Sequence, residues 1–354
     1  MGPSEHLADL LAEIDGLATR IREAPAADRT RLGRERGEAA ALATLHLDGS
    51  PVETWPDLED TWPDLEDVAG APLDGATPAP GTWLDALRAW EDEPDERVLA
   101  REVLGATAGL GSDDLARGLR TTTRAALEEL HRRLTHGLVA DERAGRPREL
   151  EQAVHDASTG RILYFASDPA RIDDELDGLQ GWMAAQAERA HPVVSSGVLH
   201  LEVLRIHPFD AANGRLARTA ARLLLRASGL DPDGLACPEP ELAGDPLGYY
   251  EEVARTARRH DATIWMERWA EAVTAGLRAS AARLDALDRS VPPELLARLR
   301  QLDGHLVTIG DYRELVDGGT PQARAELAQL VAGGHLVRLP GSRGLRFRRM
   351  PVET

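Results

Sequence analysis

One short run of the chain gathers residues able to move a charged group: Ile206-His207-Pro208-Phe209-Asp210-Ala211-Ala212-Asn213-Gly214-Arg215-Leu216-Ala217-Arg218. It reads as a polar loop feeding a helix. Leu216, Ala220, Leu223, Leu224 and Ala227 give an apolar stripe at helical spacing from about Asn213. Ser228-Gly229 stops it, because glycine accepts the left-handed closing residue. A helix start leaves backbone N–H groups free, here at Asn213 and Gly214, and Arg215 and Arg218 follow one turn apart. That combination suits a polyphosphate. Gly214 has no side chain to keep a phosphate from the backbone. His207, just upstream, adds a base whose ordinary pKa lies near neutrality.

The run resembles the signature of Fic-domain proteins, His-Pro-Phe-x-Asp/Glu-Gly-Asn-Gly-Arg-x-x-Arg. That family consists of transferases that mostly move AMP from ATP onto a protein hydroxyl. The chain matches at His207, Pro208, Phe209, Asn213, Gly214, Arg215 and Arg218. The resemblance implies that His207 is the base for the acceptor hydroxyl. Asn213 and the Gly214 backbone would form an anion hole, Arg215 and Arg218 would bind the β- and γ-phosphates, and Phe209 would fix the loop from the core. The chain departs at two positions. Ala212 stands where the family usually has glycine, and Ala211 where its acid holds Mg²⁺ between the phosphates. Asp210 lies one position early. Three outcomes stay open: Asp210 reaches the ion through a shifted loop, the arginines carry the charge without metal, or the pocket serves another use.

A second resemblance lies near the N-terminus. Fic proteins with a built-in brake carry a helix ending in Ser/Thr-x-x-x-Glu-Gly/Asn, and Thr44-Leu45-His46-Leu47-Asp48-Gly49 matches it with aspartate for glutamate. The resemblance implies that Asp48 pairs with Arg218 and fills the space of the γ-phosphate. Aspartate is one methylene shorter, so a bidentate pair would need closer backbone approach. The same run also reads as a plain helix C-terminus, although an acid there opposes the helix dipole.

The elements that must position these residues are mostly helices. Leu7, Leu10, Leu11, Ile14, Leu17 and Ile21 form a helical stripe, Ala24-Pro25-Ala26 breaks it, and a second helix runs from about Arg29 to Leu47. Helices are expected at about 83–93, 95–104, 121–137, 171–188, 193–206, 246–260 and 262–287. Tyr249, Tyr250, Trp265 and Trp269 are expected to pack the last two onto the helix that begins at Asn213. Residues 160–166 are rich in strand formers, and Ile162, Leu163 and Tyr164 resemble the Fic β-hairpin flap, which holds a target segment by strand addition. A small structural hairpin fits the same location. His191 and His200 have no partner pattern for a metal and read as a cap and a core or surface residue.

Residues 50–83 are loop-rich. They hold a tandem heptad, Thr54 to Asp60 and Thr61 to Asp67, each copy with one proline and one tryptophan. Two copies are too few for a repeat architecture. An acidic surface loop is the plainer reading, a tryptophan-bearing partner contact the other.

After Pro292-Pro293 the chain reads helix (294–303), helix (308–316), helix (320–332) and a terminal hairpin. This looks like the winged helix-turn-helix that often follows a Fic core. Residues 291–354 carry nine arginines against seven acids. The hairpin holds Arg338, Arg343, Arg346, Arg348 and Arg349, so DNA binding is one reading. A docking or homodimer-supporting wing is the other, since the candidate recognition helix has only Arg324 as a base.

Composition bounds the rest. The chain has 354 residues, net charge −19 and a pI near 5.0. Such acidity argues against nonspecific nucleic-acid binding by the whole molecule. All 41 basic residues are arginine. The single cysteine, Cys237, excludes an internal disulfide framework and reads as a lone loop thiol. No apolar run reaches the roughly 18 residues of a membrane span, and the N-terminus lacks the pattern of a secretion signal, so the cytoplasm is expected.

The expectation is a mainly α protein: residues 1–82 as an N-terminal helical region, 83–290 as a Fic helical core with a β-hairpin flap, and 291–354 as a winged helix. The implied activity is AMP transfer from ATP, with Mg²⁺ in doubt at Ala211, onto a target protein's Ser, Thr or Tyr hydroxyl. Other phosphate-containing donors, or a nucleotide-sensing DNA-binding regulator, are the alternatives.

Overall fold

The computed structural model describes residues 4–50, 102–103, 105–106, 112–155, 160–186, 189–259, 261–287, 291–302, 304–339 and 346–349. The tandem heptad, the helix expected at 83–93 and most of that at 95–104 lie outside them, as do the tip of the terminal hairpin and Arg343. The chain is mainly α and divides into two compact units. One comprises Met1–Ala18 with Gly37–Leu277, the other Thr19–Arg36 with Arg278–Thr354.

Helices α1 (Glu5–Glu23) and α2 (Ala26–Leu47) flank Pro25, whose ring cannot continue a helix. The helix expected over 121–137 is α4 (Thr123–Leu134), and α3 (Asp113–Thr121), which precedes it, was not expected. Three consecutive threonines meet at the break, and such residues lose rotamer freedom inside a helix. The Thr123 hydroxyl back-bonds to the Leu119 carbonyl across it at 2.9 Å.

The flap is an antiparallel hairpin of β1 (Ala153–His155) and β2 (Ile162–Phe165), with a bulge between Val154 and His155. Then come α5 (Ile172–Gln186), α6 (Pro192–Ile206) and α7 (Asn213–Ala227). His191 caps α6, its Nδ1 accepting from the Val193 N–H at 3.2 Å, and Pro192 takes the first turn, where no N–H is needed. The pair α6–α7 is the centre of the first unit, with α3 and α4 against α7 and α5 against α6. Ala217, Ala220 and Ala221 of α7 are fully buried beside Leu216, Leu223 and Leu225. Their small side chains let the helices approach closely.

Helices α8 (Glu239–Ala243), α9 (Pro246–Arg259) and α10 (Thr263–Asp285) complete this part of the chain. The tryptophans of α10, expected on α7, bond to α6: the Trp265 indole donates to the Gly197 carbonyl at 2.8 Å and that of Trp269 to the Ser196 hydroxyl at 3.0 Å. Gly197 makes room, since a Cβ there would lie 2.7 Å from the Trp269 ring. Cys237 lies in the loop before α8 and is buried, its thiol donating to the Gly234 carbonyl.

The C-terminal part contains α11 (Pro293–Gln301), β3 (Leu306–Thr308), α12 (Ile309–Arg313), α13 (Gly319–Ala332), β4 (Leu336–Leu339) and β5 (Arg346–Arg349). The sheet order is β3-β5-β4, all antiparallel. Strand β3 was not expected. Its three residues run into the Thr308–Asp311 capping box, and on sequence alone the strand merges with the helix it precedes. Val307, Tyr312, Leu327, Leu330, Leu336 and Phe347 form its core. Gln322 of α13 is spent internally, on the Gly318 N–H and on Glu326, which also receives Arg298 and Tyr312. No helix among the described residues is long and apolar enough to cross a membrane.

Candidate active site

The site begins where α6 stops. His207 closes that helix in the left-handed region, at φ 52° and ψ 59°, and its N–H still donates to the Val203 carbonyl at 2.9 Å. A β-carbon makes this backbone unfavourable by about 1–2 kcal/mol, so the surroundings must hold it. Ala212, the N-cap of α7, is left-handed too at φ 57°. There the family pattern has glycine, which takes that conformation without strain. Alanine offers no capping oxygen, so the first N–H groups of α7 have no side-chain cap.

Between these two residues the loop is braced from inside. The buried Asn213 side chain forms a ring with Phe209, accepting its N–H at 3.0 Å and donating to its carbonyl at 2.8 Å. One of its two amide N–H donors and its carbonyl oxygen thus brace the loop. Phe209 is fully buried and stacks on His131, centroids 4.1 Å apart. The Gly145 N–H donates to His131 Nδ1 at 2.9 Å. The proton is therefore on Nε2, which donates to the Ala211 carbonyl at 3.1 Å. Burial pushes the His131 imidazole down to about 4.

Burial also pushes His207 down to about 4, helped by the Arg148 charge and opposed by the Leu204 carbonyl and Asp48. Its ring is neutral at physiological pH, the state a proton acceptor needs. Nδ1 is buried without a hydrogen-bond partner among the described residues.

Next to this ring, Thr44, Asp48, Gly49, Gly214, Arg215 and Arg218 come together. Gly49 ends α2 at φ 79°, and the Ser50 N–H folds back to the Leu45 carbonyl at 2.9 Å, a Schellman-type close. This aims Asp48 at the start of α7. Asp48 Oδ1 accepts from Arg218 Nη2 at 2.5 Å and Oδ2 from Arg215 Nε at 2.9 Å. Arg218 is 1% exposed. It also donates to the Thr44 hydroxyl, to the Thr44 carbonyl at 3.0 Å and to the Tyr250 hydroxyl at 3.5 Å. Burial pulls against its charge, but Asp48 more than offsets this, and the guanidinium stays protonated. Arg215 reaches a second acid, buried Glu102, at 3.4 Å, while the Ser50 hydroxyl donates to that carboxylate at 2.8 Å. A Cβ on Gly214 would lie 2.7 Å from Asp48 Oδ1.

Asp210, the acid one position before Ala211, is already engaged. Arg143 donates to its Oδ2 from Nε at 2.8 Å and stands 2.7 Å away at Nη2. No cluster of three or more potential metal ligands occurs among the described residues. With Ala211 mute and Asp210 paired, these residues do not fit a metal as the signature acid does.

In the flap, Ile162 faces outward but Leu163 and Tyr164 are buried, and the Tyr164 hydroxyl donates to the Leu204 carbonyl of α6 at 3.0 Å. Tyr164 thus anchors the hairpin to the helix that ends at His207. Phe165, at the other end of β2, is exposed as well, 71% accessible, and the sequence reading did not single it out.

Tyr250 was expected to pack on α7 and meets it at Arg218. Glu102, His131, Arg143 and Arg148 escaped the sequence reading. Each meets the signature from far along the chain, and none sits in a local motif.

Comparison with known proteins matches residues 121–225 to the family described as Fic/DOC. A Fic family protein from Desulfovibrio desulfuricans G20 superposes with a TM-score of 0.60 at 21% identity, covering 100% of this chain and 98% of its own. Fic-1 from C. elegans gives 0.53 at 18%, over 79% and 73%. At such identities the likeness is one of fold. Among curated proteins, a uridine 5'-monophosphate transferase of Xanthomonas campestris pv. campestris is 34% identical over 70 residues, 18% of this chain and 13% of that one. The protein adenylyltransferase Fic of Nematostella vectensis is 27% identical over 143 residues, 39% and 32% respectively. The chain thus spans less than a third of the length of either.

Proposed function

Residues 121–225 form a Fic/DOC-family domain, and from that premise we propose that the chain transfers AMP from ATP onto a Ser, Thr or Tyr hydroxyl of a protein, held back by Asp48. One observation carries this reading: the Asp48 carboxylate bridges Arg215 and Arg218 against Gly214 at the start of α7. An internal anion there supports the use of the same cradle for the phosphates of a nucleotide, because a helix start and two guanidinium groups favour both alike.

In the proposed reaction the acceptor hydroxyl oxygen attacks the α-phosphorus. Its proton passes to the neutral His207 ring, the bond from Pα to the bridging oxygen breaks, and pyrophosphate leaves. Arg215 and Arg218 take the charge that builds on the leaving group. The acceptor segment lies along the flap as an added strand. Asp48 must withdraw first, since its carboxylate uses the guanidinium donors the phosphates need. No step is assigned to Mg²⁺.

The arginines and the helix start read phosphates, not a base, so the donor test includes UTP beside ATP. The protein is incubated with α-labelled nucleotide as wild type, Asp48→Ala, and Asp48→Ala with His207→Ala. The expected result is strong labelling of protein by Asp48→Ala, weak labelling by wild type and none by the double variant. A folded Asp48→Ala protein that neither binds nor transfers from any nucleotide would overturn the reading.

A further inference from the structure

Arg148 is 2% exposed and has no carboxylate within salt-bridge distance among the described residues. Its guanidinium is satisfied by backbone carbonyls alone. Nε donates to the His207 carbonyl at 2.7 Å, Nη1 to the Leu150 carbonyl at 2.6 Å, and Nη2 to the carbonyls of Ser167 and, at 3.3 Å, Ile206. The Arg148 N–H adds the Pro208 carbonyl at 2.8 Å. These acceptors fall into two groups. Ile206, His207 and Pro208 are the C-terminal end of α6 and the left-handed turn. Leu150 and Ser167 are the two roots of the flap, before β1 and after β2.

A cation is favoured at a helix C-terminus, where the last carbonyls lack partners. A planar guanidinium offers five N–H donors in a fixed fork, whereas an ammonium is a point charge with three. One rigid fork bonded to both groups fixes the distance between them.

We propose that Arg148 is the positioning residue that locks the flap to the His207 turn, so that an acceptor laid on the flap meets the imidazole at a set distance. This rests on the transferase reading only for its purpose. The mechanical claim stands on the five backbone bonds. Gln152 supports the same link more weakly, its amide donating to the Asp210 carbonyl at 2.9 Å.

The test uses the full chain with Arg148→Lys and Arg148→Met. Peptide-level amide hydrogen exchange is followed over 150–155, 160–167 and 206–210, with α5 and α10 as controls for global folding. The His207 ring is titrated by NMR. Besides Arg148, the groups facing that ring are the Leu204 carbonyl, which opposes the downward shift, and Asp48, which does the same.

Both variants are expected to exchange at least about tenfold faster over the flap and the 206–210 turn together, with the controls unchanged. Arg148→Met is expected to raise the His207 midpoint by about one unit, and Arg148→Lys, which keeps the charge, to leave it low. A defect of packing alone would not separate the two variants in this way. ATP affinity in the Asp48→Ala background should stay within about twofold, since none of these bonds reaches the arginine cradle. Should Arg148→Met fail to fold, Arg148→Lys carries the test through exchange. Flap exchange at the wild-type rate in Arg148→Lys, or loosening of one segment without the other, would overturn the proposal. Absence of any labelling in Asp48→Ala would sink the transferase reading while leaving these readouts intact.

Discussion

Asp48 holds Arg218 through one carboxylate oxygen, at 2.5 Å, and not through two. A glutamate has the reach to lie in plane with a guanidinium and make a fork-to-fork pair. The shorter aspartate divides its oxygens between Arg218 and Arg215, and the Thr44 hydroxyl and carbonyl take the Arg218 donors left over. The pair is nearly dry on the Arg218 side. Removing one partner of such a pair strands a buried charge, at about 3–5 kcal/mol.

Asp48→Ala is therefore expected to lower the denaturant midpoint of the nucleotide-free protein by the equivalent of about 3 kcal/mol. It should also increase the stabilisation that ATP gives, because phosphate then supplies the missing counter-charge. Equilibrium unfolding with and without ATP reads both. An unchanged midpoint would mean that the Asp48 contact contributes nothing to the fold.

Much of this site was legible before any coordinates. The stop of α7 at Gly229 and the delivery of His207 by a helix opened by Pro192 follow from capping chemistry, which is local and carried by particular residues, while the start of α7 follows from its apolar stripe, its N-cap Ala212 having no capping side chain. The internal wiring was not. His131 reaches Ala211 across eighty positions, and Arg148 reaches His207 across fifty-nine. Nothing in their own neighbourhoods marks them. Asn213 shows a subtler limit. Its place in the signature was plain, but spacing alone does not show that its amide bonds both backbone groups of Phe209. Strand β3 was lost because a three-residue strand is shorter than any period that could reveal it.

The engagement of Asp210 by Arg143 bears on metal dependence. Lifting that carboxylate onto an ion would break a charge-assisted pair, and Ala211 gives no alternative. Nucleotide affinity of Asp48→Ala is expected to change less than about threefold when Mg²⁺ is replaced by EDTA, a difference under about 1 kcal/mol. Adding Ala211→Asp should make the affinity Mg²⁺-dependent. Calorimetry of ATP with and without Mg²⁺ in both backgrounds decides. Equal Mg²⁺ dependence with and without the new acid would remove the idea.

Four imidazoles lowered by burial, His131, His200, His207 and His335, make stability pH-dependent in a defined direction. His131 and His207 sit near 4 when folded, against 6.5 in an unfolded chain. Between those values the unfolded state binds more protons, so stability rises with pH. Their contribution is fully present above 6.5 and is lost as pH falls toward 4, at up to about 3 kcal/mol for each group. The denaturant midpoint should fall over that window. His131→Phe keeps a ring against Phe209 and should make the fall shallower by the share that His131 contributes, while loosening the loop through the lost Ala211 bond. An identical pH slope in this variant would show that His131 titrates normally.

Gly214 is where the brake and the cradle compete for the same space. An added Cβ would stand 2.7 Å from Asp48 Oδ1 and 3.0 Å from Arg218 Nη1, and neither atom is a free end, since Oδ1 accepts from Arg218 Nη2 and Nη1 donates to the Tyr250 hydroxyl. Gly214→Ala must therefore push Asp48 away. In the wild-type background the overpacking should destabilise the protein by about 2 kcal/mol, reduced by the up to about 1 kcal/mol that alanine gains over glycine in a helix. Once Asp48→Ala has emptied that space, the same change should be neutral or stabilising. The two substitutions should thus be non-additive by about 2 kcal/mol, and a double-mutant cycle in denaturant reads the coupling directly. Activity should not follow stability. The Cβ that expels Asp48 also keeps a phosphate off the helix start, so Gly214→Ala should fail to activate even though it releases the brake. An equal penalty in both backgrounds would mean that Gly214 accommodates something other than the aspartate.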